Sequence, residues 1–278
     1  MIQTNAYAKI NLSLEIIGKR EDGYHIIDSV IQTISLHDRV RISVADEGII
    51  EVKCSDDSLS GELNICAVAA RLFFDCTKIN GGCYIYIEKN IPVSAGLGGG
   101  SSDACEVLKS LNSIYGNPLN LSELKTIALS LGADVPFFIN GGTARVKGIG
   151  EDIKTFESKL PLWFVLIKTT DKPSTAHMYK KFDNLEVFVS NKNISYNCEK
   201  SLSTADFNLF IESFYNDFSA VWNYDKIKND LIDNGALAVS LSGSGPTVMG
   251  VFESKNNADK AYNTLKSKYK HIYSVESV

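Results

Sequence analysis

Four glycines and two serines within seven positions are the part of this sequence best suited to chemistry: Gly96, Gly98, Gly99, Gly100, Ser101 and Ser102 of IPVSAGLGGGSSDA (residues 91–104). A backbone this bare lets several N–H groups converge, and a helix starting there adds partial positive charge. The natural guest is an anion such as a phosphate. Two better-known phosphate loops are excluded. A Walker A loop needs a Lys before its final Ser or Thr, and no Lys lies between Lys89 and Lys109. The dinucleotide pattern G-x-G-x-x-G also fails, because from Gly96 the chain reads G-L-G-G-G-S. The same glycines could serve a tight turn that needs them only for its backbone angles. The residues alone leave both readings open.

The elements that must position this stretch are legible from periodicity. Ala104, Val107, Leu108, Leu111, Ile114 and Tyr115 recur at helical spacing after it, with Ser102 or Asp103 as the expected N-cap and Glu106 completing a capping box. A second helix is expected from about Ser122 to Leu131, capped by Ser and stopped by Gly132. In YAKINLSLEI the apolar Ala8, Ile10, Leu12, Leu14 and Ile16 alternate with Lys9, Asn11, Ser13 and Glu15, which reads as a strand with one polar face. GKREDGYH then reads as a turn, SVIQTISLHDRVRISV as more strand, ELNICAVAARLFFDC as a helix, and CYIYIEKNIP and PLWFVLIKT as strands. Near the C-terminus, ALAVSLSGSGPTVMGVF reads as strand–loop–strand, followed by a helix over 258–269 and a short last strand. Interleaved strands and helices predict an α+β fold, and a boundary near residue 158 divides it into domains 1–158 and 159–278.

Composition narrows the class of function. With 28 basic and 33 acidic residues the net charge is −5, which argues against broad nucleic-acid or membrane binding. The polar start MIQTNAYAKINLSLEI lacks the apolar run of a signal peptide, and no stretch reaches the apolar length of a membrane span. Six irregularly spaced cysteines, none in a C-x₂₋₄-C pair, predict neither a zinc site nor a secreted disulfide framework. A reduced, cytoplasmic, enzyme-sized protein is expected.

Three further segments turn the Gly-rich loop into part of a pattern: AYAKINLSLEIIGKREDGYH at the start, LGADVPFF at 131–138 and LSGSGPTV at 241–248. With PVSAGLGGGSS in place of P-x₃-G-L-G-S/G-S-S, the chain resembles the GHMP kinases, in order and over nearly its whole length. The segments AKINL…DGYH point, within that family, to the branch acting on a cytidine diphosphate-linked alcohol in non-mevalonate isoprenoid synthesis. The resemblance implies two domains, an N-terminal ribosomal-S5-like nucleotide domain and a C-terminal ferredoxin-like α/β domain. It also implies transfer of the γ-phosphoryl of ATP, with Mg²⁺, to an alcohol.

By the same resemblance Asp134 is the base and Lys9 its electrostatic partner. A hydroxyl is a poor nucleophile at neutral pH, so a carboxylate that accepts its proton helps, and a cation beside that carboxylate keeps it ionised. Pro92, Gly96, Gly98, Gly99, Gly100, Ser101 and Ser102 would form the phosphate loop, with Asn64 beside the adenine and Lys89 near the nucleotide. Asn11, Tyr24, His25, Thr175 and Tyr179 would hold the acceptor, the two Tyr rings stacking on the pyrimidine and His25 hydrogen-bonding to it. No residue pair declares itself as a metal ligand. The chain is expected to act on these small molecules as a monomer or weak homodimer, without nucleic acid or membrane. The alternatives are another kinase of the family, for homoserine or mevalonate, and a nucleotide-binding protein without turnover. DGYH speaks against the first, and retention of Lys9 and Asp134 against the second.

Overall fold

The computed structural model describes residues 1–169, 174–185 and 193–278. Two long strands come first, β1 (Ile2–Lys19) and β2 (His25–Ala45), then β3 (Ile50–Cys54), α1 (Ile65–Thr77) and β4 (Gly82–Glu88). The Gly-rich stretch leads into α2 (Gly99–Ile114), α3 (Leu121–Leu131) and the single turn α4 (Phe137–Asn140). Strands β5 (Thr143–Gly148), β6 (Asp152–Phe156) and β7 (Trp163–Lys168) precede α5 (Thr175–Asp183), α6 (Ile194–Thr204) and α7 (Phe207–Ser213). The chain ends through β8 (Tyr215–Asn216), α8 (Asp225–Asp233), β9 (Ala238–Leu241), β10 (Thr247–Phe252), α9 (Lys255–Leu265) and β11 (Ile272–Glu276). The α+β class expected from the pattern is the one found.

By contacts the chain forms two compact units, each discontinuous in sequence. The first comprises Met1–Ala8, Leu36–Val93 and Gly98–Gly141. In it β4 pairs antiparallel with Arg39–Ala45 of β2 and parallel with β3, while α1 packs on α2 and α3, and α2 on α4. Val40, Ile42, Ile85 and Ile87 from the strands and Phe73, Val107, Leu108 and Leu111 from the helices are buried. At about 1.5–3 kcal/mol per large apolar side chain removed from water, these residues fix α2 and so aim its N-terminus.

The second unit comprises Lys9–Ser35, Ser94–Leu97 and Gly142–Val278. Its four-stranded antiparallel sheet runs β11-β7-β10-β9, the strand order of a β-α-β-β-α-β ferredoxin-like unit. Every residue of β10 is buried, as a central strand covered on both faces must be. Val165, Ile167, Leu231, Val248, Phe252 and Leu265 belong to one core cluster beneath it. In the same unit β2 pairs through Ile27–Gln32 with β5, β5 with β6, and β1 through Ser13 and Leu14 with β8.

One burial pattern was not foreseen, and two cap expectations are corrected. The polar face of β1 is not exposed: Lys9, Asn11, Ser13 and Glu15 are as buried as the apolar face. Ser13 and Glu15 lie against α6, whose Ser195 N–H donates to Glu15 Oε2 (2.8 Å) and whose Ser195 hydroxyl lies 3.0 Å from that of Ser13. Helix α2 starts at Gly99 with Gly98 as its N-cap in the left-handed region (φ +69°), so Ser102 and Asp103 lie inside the helix, buried, rather than capping it. Helix α3 is capped by Asn120, which forms a capping box with Glu123, instead of by Ser122. An amide side chain two residues earlier satisfies both first-turn donors, Ser122 N–H and Glu123 N–H.

Candidate active site

Within the first unit, the Gly98 cap leaves the start of α2 open. No side chain caps it, and the first intrahelical bond runs from Ser102 N–H to Gly98 C=O (2.9 Å). The N–H groups of Gly99, Gly100 and Ser101 therefore lack intrahelical acceptors and sit at the positive end of a 16-residue helix. Pro92 precedes this turn in the loop after β4. Asn64 is the N-cap of α1: its Oδ1 accepts from Cys66 N–H (2.8 Å), and its Nδ2 donates to Leu59 C=O (2.7 Å). Asp134 lies on the exposed turn between α3 and α4, after the helix-ending Gly132.

Lys89 is not a solvated charge. Its side chain is only 11% exposed, and Nζ donates to Asp103 Oδ2 (2.6 Å) and to Asp38 Oδ2. A Cβ on Gly99 would lie 3.5 Å from this ammonium, so the cluster abuts the first residue of α2. Asp38 is fully buried and also accepts from Ile91 N–H (2.7 Å). Burial pushes the Asp103 carboxyl up, to about 7, with Lys89 opposing and Asp38 reinforcing the shift. Burial alone would lower the Lys89 ammonium, but the two carboxylates raise it above its ordinary value.

In the second unit, Lys9 Nζ donates to Asn11 Oδ1 (3.0 Å), Asn11 Nδ2 to Ser29 Oγ (2.9 Å), and the Ser29 hydroxyl to Ser13 C=O (2.6 Å). The chain of bonds holds the ammonium of Lys9 on β1, where i and i+2 share a face. Gly96 has φ +75°, and a Cβ there would lie 2.8 Å from Ser242 C=O and 2.9 Å from Gly245 C=O. The turn of LSGSGPTV thus seats directly on Gly96, and the Thr247 hydroxyl donates to Ala95 C=O (2.7 Å). Thr175, first residue of α5, has its hydroxyl 2.9 Å from that of Ser244.

His25 stacks on Tyr179 (centroids 4.3 Å apart, planes at 18°), and its Nε2 lies 2.6 Å from Asp183 Oδ1. One face of Tyr179 is therefore covered by the imidazole, while Tyr24 is 61% exposed. Burial would push the Asp183 carboxyl up, but Lys19 and His25 hold it below its ordinary value. Sequence reasoning did not find Asp38, Asp103 or Asp183 as site neighbours. Asp103 was visible beside the Ser pair and was expected to cap; Asp38 and Asp183 carry no local signal, since their partners lie 51 and 158 positions away.

Among the described residues no group of three or more His, Cys, Asp or Glu side chains could hold a metal ion, and no helix is long and apolar enough to cross a membrane. The profile of the GHMP kinases N terminal domain matches residues 64–142, and that of the GHMP kinases C terminal domain matches residues 221–271. A relative from Clostridium tetani, a 4-diphosphocytidyl-2-C-methyl-D-erythritol kinase, is 39% identical over 280 residues, spanning 98% of both chains. The chain belongs to the GHMP kinases. As a member of that family it is an ATP-dependent small-molecule kinase. A crystal structure of 4-(cytidine 5'-diphospho)-2C-methyl-D-erythritol kinase superposes with a TM-score of 0.85 at 27% identity, covering 99% of each chain. The homoserine kinase of Cytophaga hutchinsonii shares the GHMP fold with a TM-score of 0.79 at 19% identity, over 100% of this chain and 94% of that one.

Proposed function

We propose that the chain phosphorylates the 2-hydroxyl of 4-diphosphocytidyl-2-C-methyl-D-erythritol with ATP, a step of non-mevalonate isoprenoid synthesis. The observation that carries this reading is the end-to-end likeness to a kinase of that substrate, 39% identical over 98% of both chains. The open N-terminus of α2 supports the ATP side: free N–H donors at the positive end of a helix suit a polyphosphate. Mg²⁺ would accompany the nucleotide, held chiefly by phosphate oxygens and water as is usual for this ion.

Asp134 has the general-base role. It is exposed on a turn, so it can meet an incoming hydroxyl without reorganising the fold. Lys9 has the electrostatic role, stabilising the developing alkoxide, and Asn11 and Ser29 hold its ammonium in place. Because phosphoryl transfer has a loose transition state, this positioning contributes as much as proton removal. Tyr24 offers an open ring for the pyrimidine, and His25, steadied by Asp183 and Tyr179, offers a polar edge beside it. Thr175 stands at the start of α5 with its hydroxyl directed to Ser244.

The test is product analysis. The protein, ATP, Mg²⁺ and the cytidyl alcohol should yield ADP and one new phosphomonoester by ³¹P NMR, with the adjacent proton and carbon shifts assigning it to the 2-position. A product phosphorylated elsewhere, or none while homoserine or mevalonate is converted, would replace this reading with that of another kinase of the family.

A further inference from the structure

We propose that Asp103 is the proton-exchanging member of the buried Lys89–Asp38–Asp103 cluster, and that binding of a nucleoside triphosphate at the start of α2 takes up one proton there. The proposal rests on the reading of that helix N-terminus as the nucleotide site. Asp103 would act as a positioning residue: it touches Lys89, not the ligand.

The geometry poses a charge problem. One ammonium faces two carboxylates, so the cluster carries −1 when both are ionised. It is buried, with Asp38 at 0% and Asp103 at 3% exposure, and water cannot screen it. Without a ligand, the positive end of α2 offsets part of that charge. A bound polyphosphate reverses the balance. Gly99 and Asp103 are four residues apart on one helix, a rise of about 6 Å. At such a separation, and an effective dielectric near 20, each added negative charge would raise the carboxyl by about one pH unit or more.

One atom marks where the proton goes. Asp103 Oδ1 is buried with no hydrogen-bond partner among the described residues, whereas Oδ2 is engaged by Lys89. An ionised carboxylate with an orphaned oxygen is costly in such a place; a protonated one can donate toward Asp38, whose carboxylate already favours a proton on Asp103. Asp38 is the poorer candidate, since Ile91 N–H and Asn90 N–H both donate to its Oδ1 and need an acceptor. The groups acting on Asp103 are Lys89, after β4, and Asp38, from β2. Cys54 of β3 and Cys66 of α1 feel the cluster too, but burial raises both thiols above their ordinary value and keeps them neutral. Asp56 acts on Cys54 and is held by Ser58, and Glu106 on α2 is paired with Lys109 and Thr4.

Calorimetry of Mg²⁺-saturated ATP binding to the full chain, in two buffers of different ionisation enthalpy, reads the proton directly. The nucleotide's own phosphate is already deprotonated under these conditions. At pH 7.5 the wild type should take up about half to one proton per nucleotide, falling toward zero below about pH 6, where Asp103 is already protonated. Asp103→Asn, isosteric and neutral, should abolish the uptake. It should also remove the roughly 5- to 10-fold weakening of ATP affinity expected in the wild type between pH 7 and 8.5. Binding without proton uptake, or uptake that persists in Asp103→Asn, overturns the proposal while leaving the nucleotide site intact. Absence of ATP binding overturns both. If the variant fails to fold, the wild-type pH profile decides, and an uptake independent of pH between 5.5 and 7.5 refutes the assignment.

Discussion

Replacing Lys89 by Met keeps most of its length but removes the ammonium that faces Asp38 and Asp103. Breaking a buried ion cluster by deleting one partner costs about 3–5 kcal/mol, because the charge left behind has neither water nor counter-ion. The loss should depend on pH in a defined direction. Asp103 already sits above its ordinary carboxylate value, at about 7. Without the ammonium its folded-state value moves higher still, while the unfolded value stays near 3.9. A group raised in this way stabilises the fold fully below its unfolded value, and the contribution is lost as pH rises toward the folded value. The wild type stops losing stability on this account near pH 7, whereas the variant continues. At about 1.4 kcal/mol per pH unit and proton, the gap between them should widen by roughly 1–1.5 kcal/mol from pH 6 to pH 8. Urea unfolding of both proteins, followed by far-UV circular dichroism at the two pH values, measures this. A Lys89→Met variant within about 1 kcal/mol of wild type at pH 8, or equally destabilised at pH 6 and 8, would refute the buried-cluster reasoning.

Gly96→Ala should cost about 1–2 kcal/mol from the left-handed backbone alone, and more from the Ser242 and Gly245 carbonyls. Gly142→Ala, with φ +71° and nothing within 4 Å, is the matched control, and thermal melts should place it well above Gly96→Ala. Asn64→Ala should lose about 0.5–2 kcal/mol as an N-cap deletion, read by urea unfolding. Asp134→Asn should lower kcat by about 10²–10⁴ with little change in ATP affinity or melting temperature, because the side chain is exposed. A near-normal kcat in that variant removes Asp134 from the mechanism.

Much of the architecture was readable because its signals are local. The Ala104–Tyr115 spacing predicted α2, and the β-formers of CYIYIEKNIP predicted β4, each from residues that are neighbours in sequence. Of the candidate site, what was readable was local placement: the Gly-rich turn that opens α2, and Asp134 on a turn after Gly132. What failed depended on distant cover. The alternation in β1 gives no sign that α6 lies against Ser13 and Glu15, and Ser195 is 180 positions from Glu15. Asp103 looks like a cap because acidic residues favour first turns, but a left-handed Gly98 takes the cap position and turns the carboxylate inward to Lys89. Gly96 was visible in the Gly-rich stretch, but not that the Ser242 and Gly245 carbonyls, about 150 positions on, would rest against it. A glycine's backbone freedom shows in sequence; which atom will approach it does not.

The most direct test of the account compares kcat/KM for 4-diphosphocytidyl-2-C-methyl-D-erythritol, homoserine and mevalonate in one coupled ADP-release assay, for wild type and Tyr24→Ala. The account predicts a strong preference of the wild type for the cytidyl alcohol. It also predicts a rise of about 5- to 150-fold in KM for that alcohol in Tyr24→Ala, the equivalent of one lost base stack, with KM for ATP nearly unchanged. Faster turnover of homoserine or mevalonate, or a Tyr24→Ala variant whose KM for the cytidyl alcohol does not move, would contradict it.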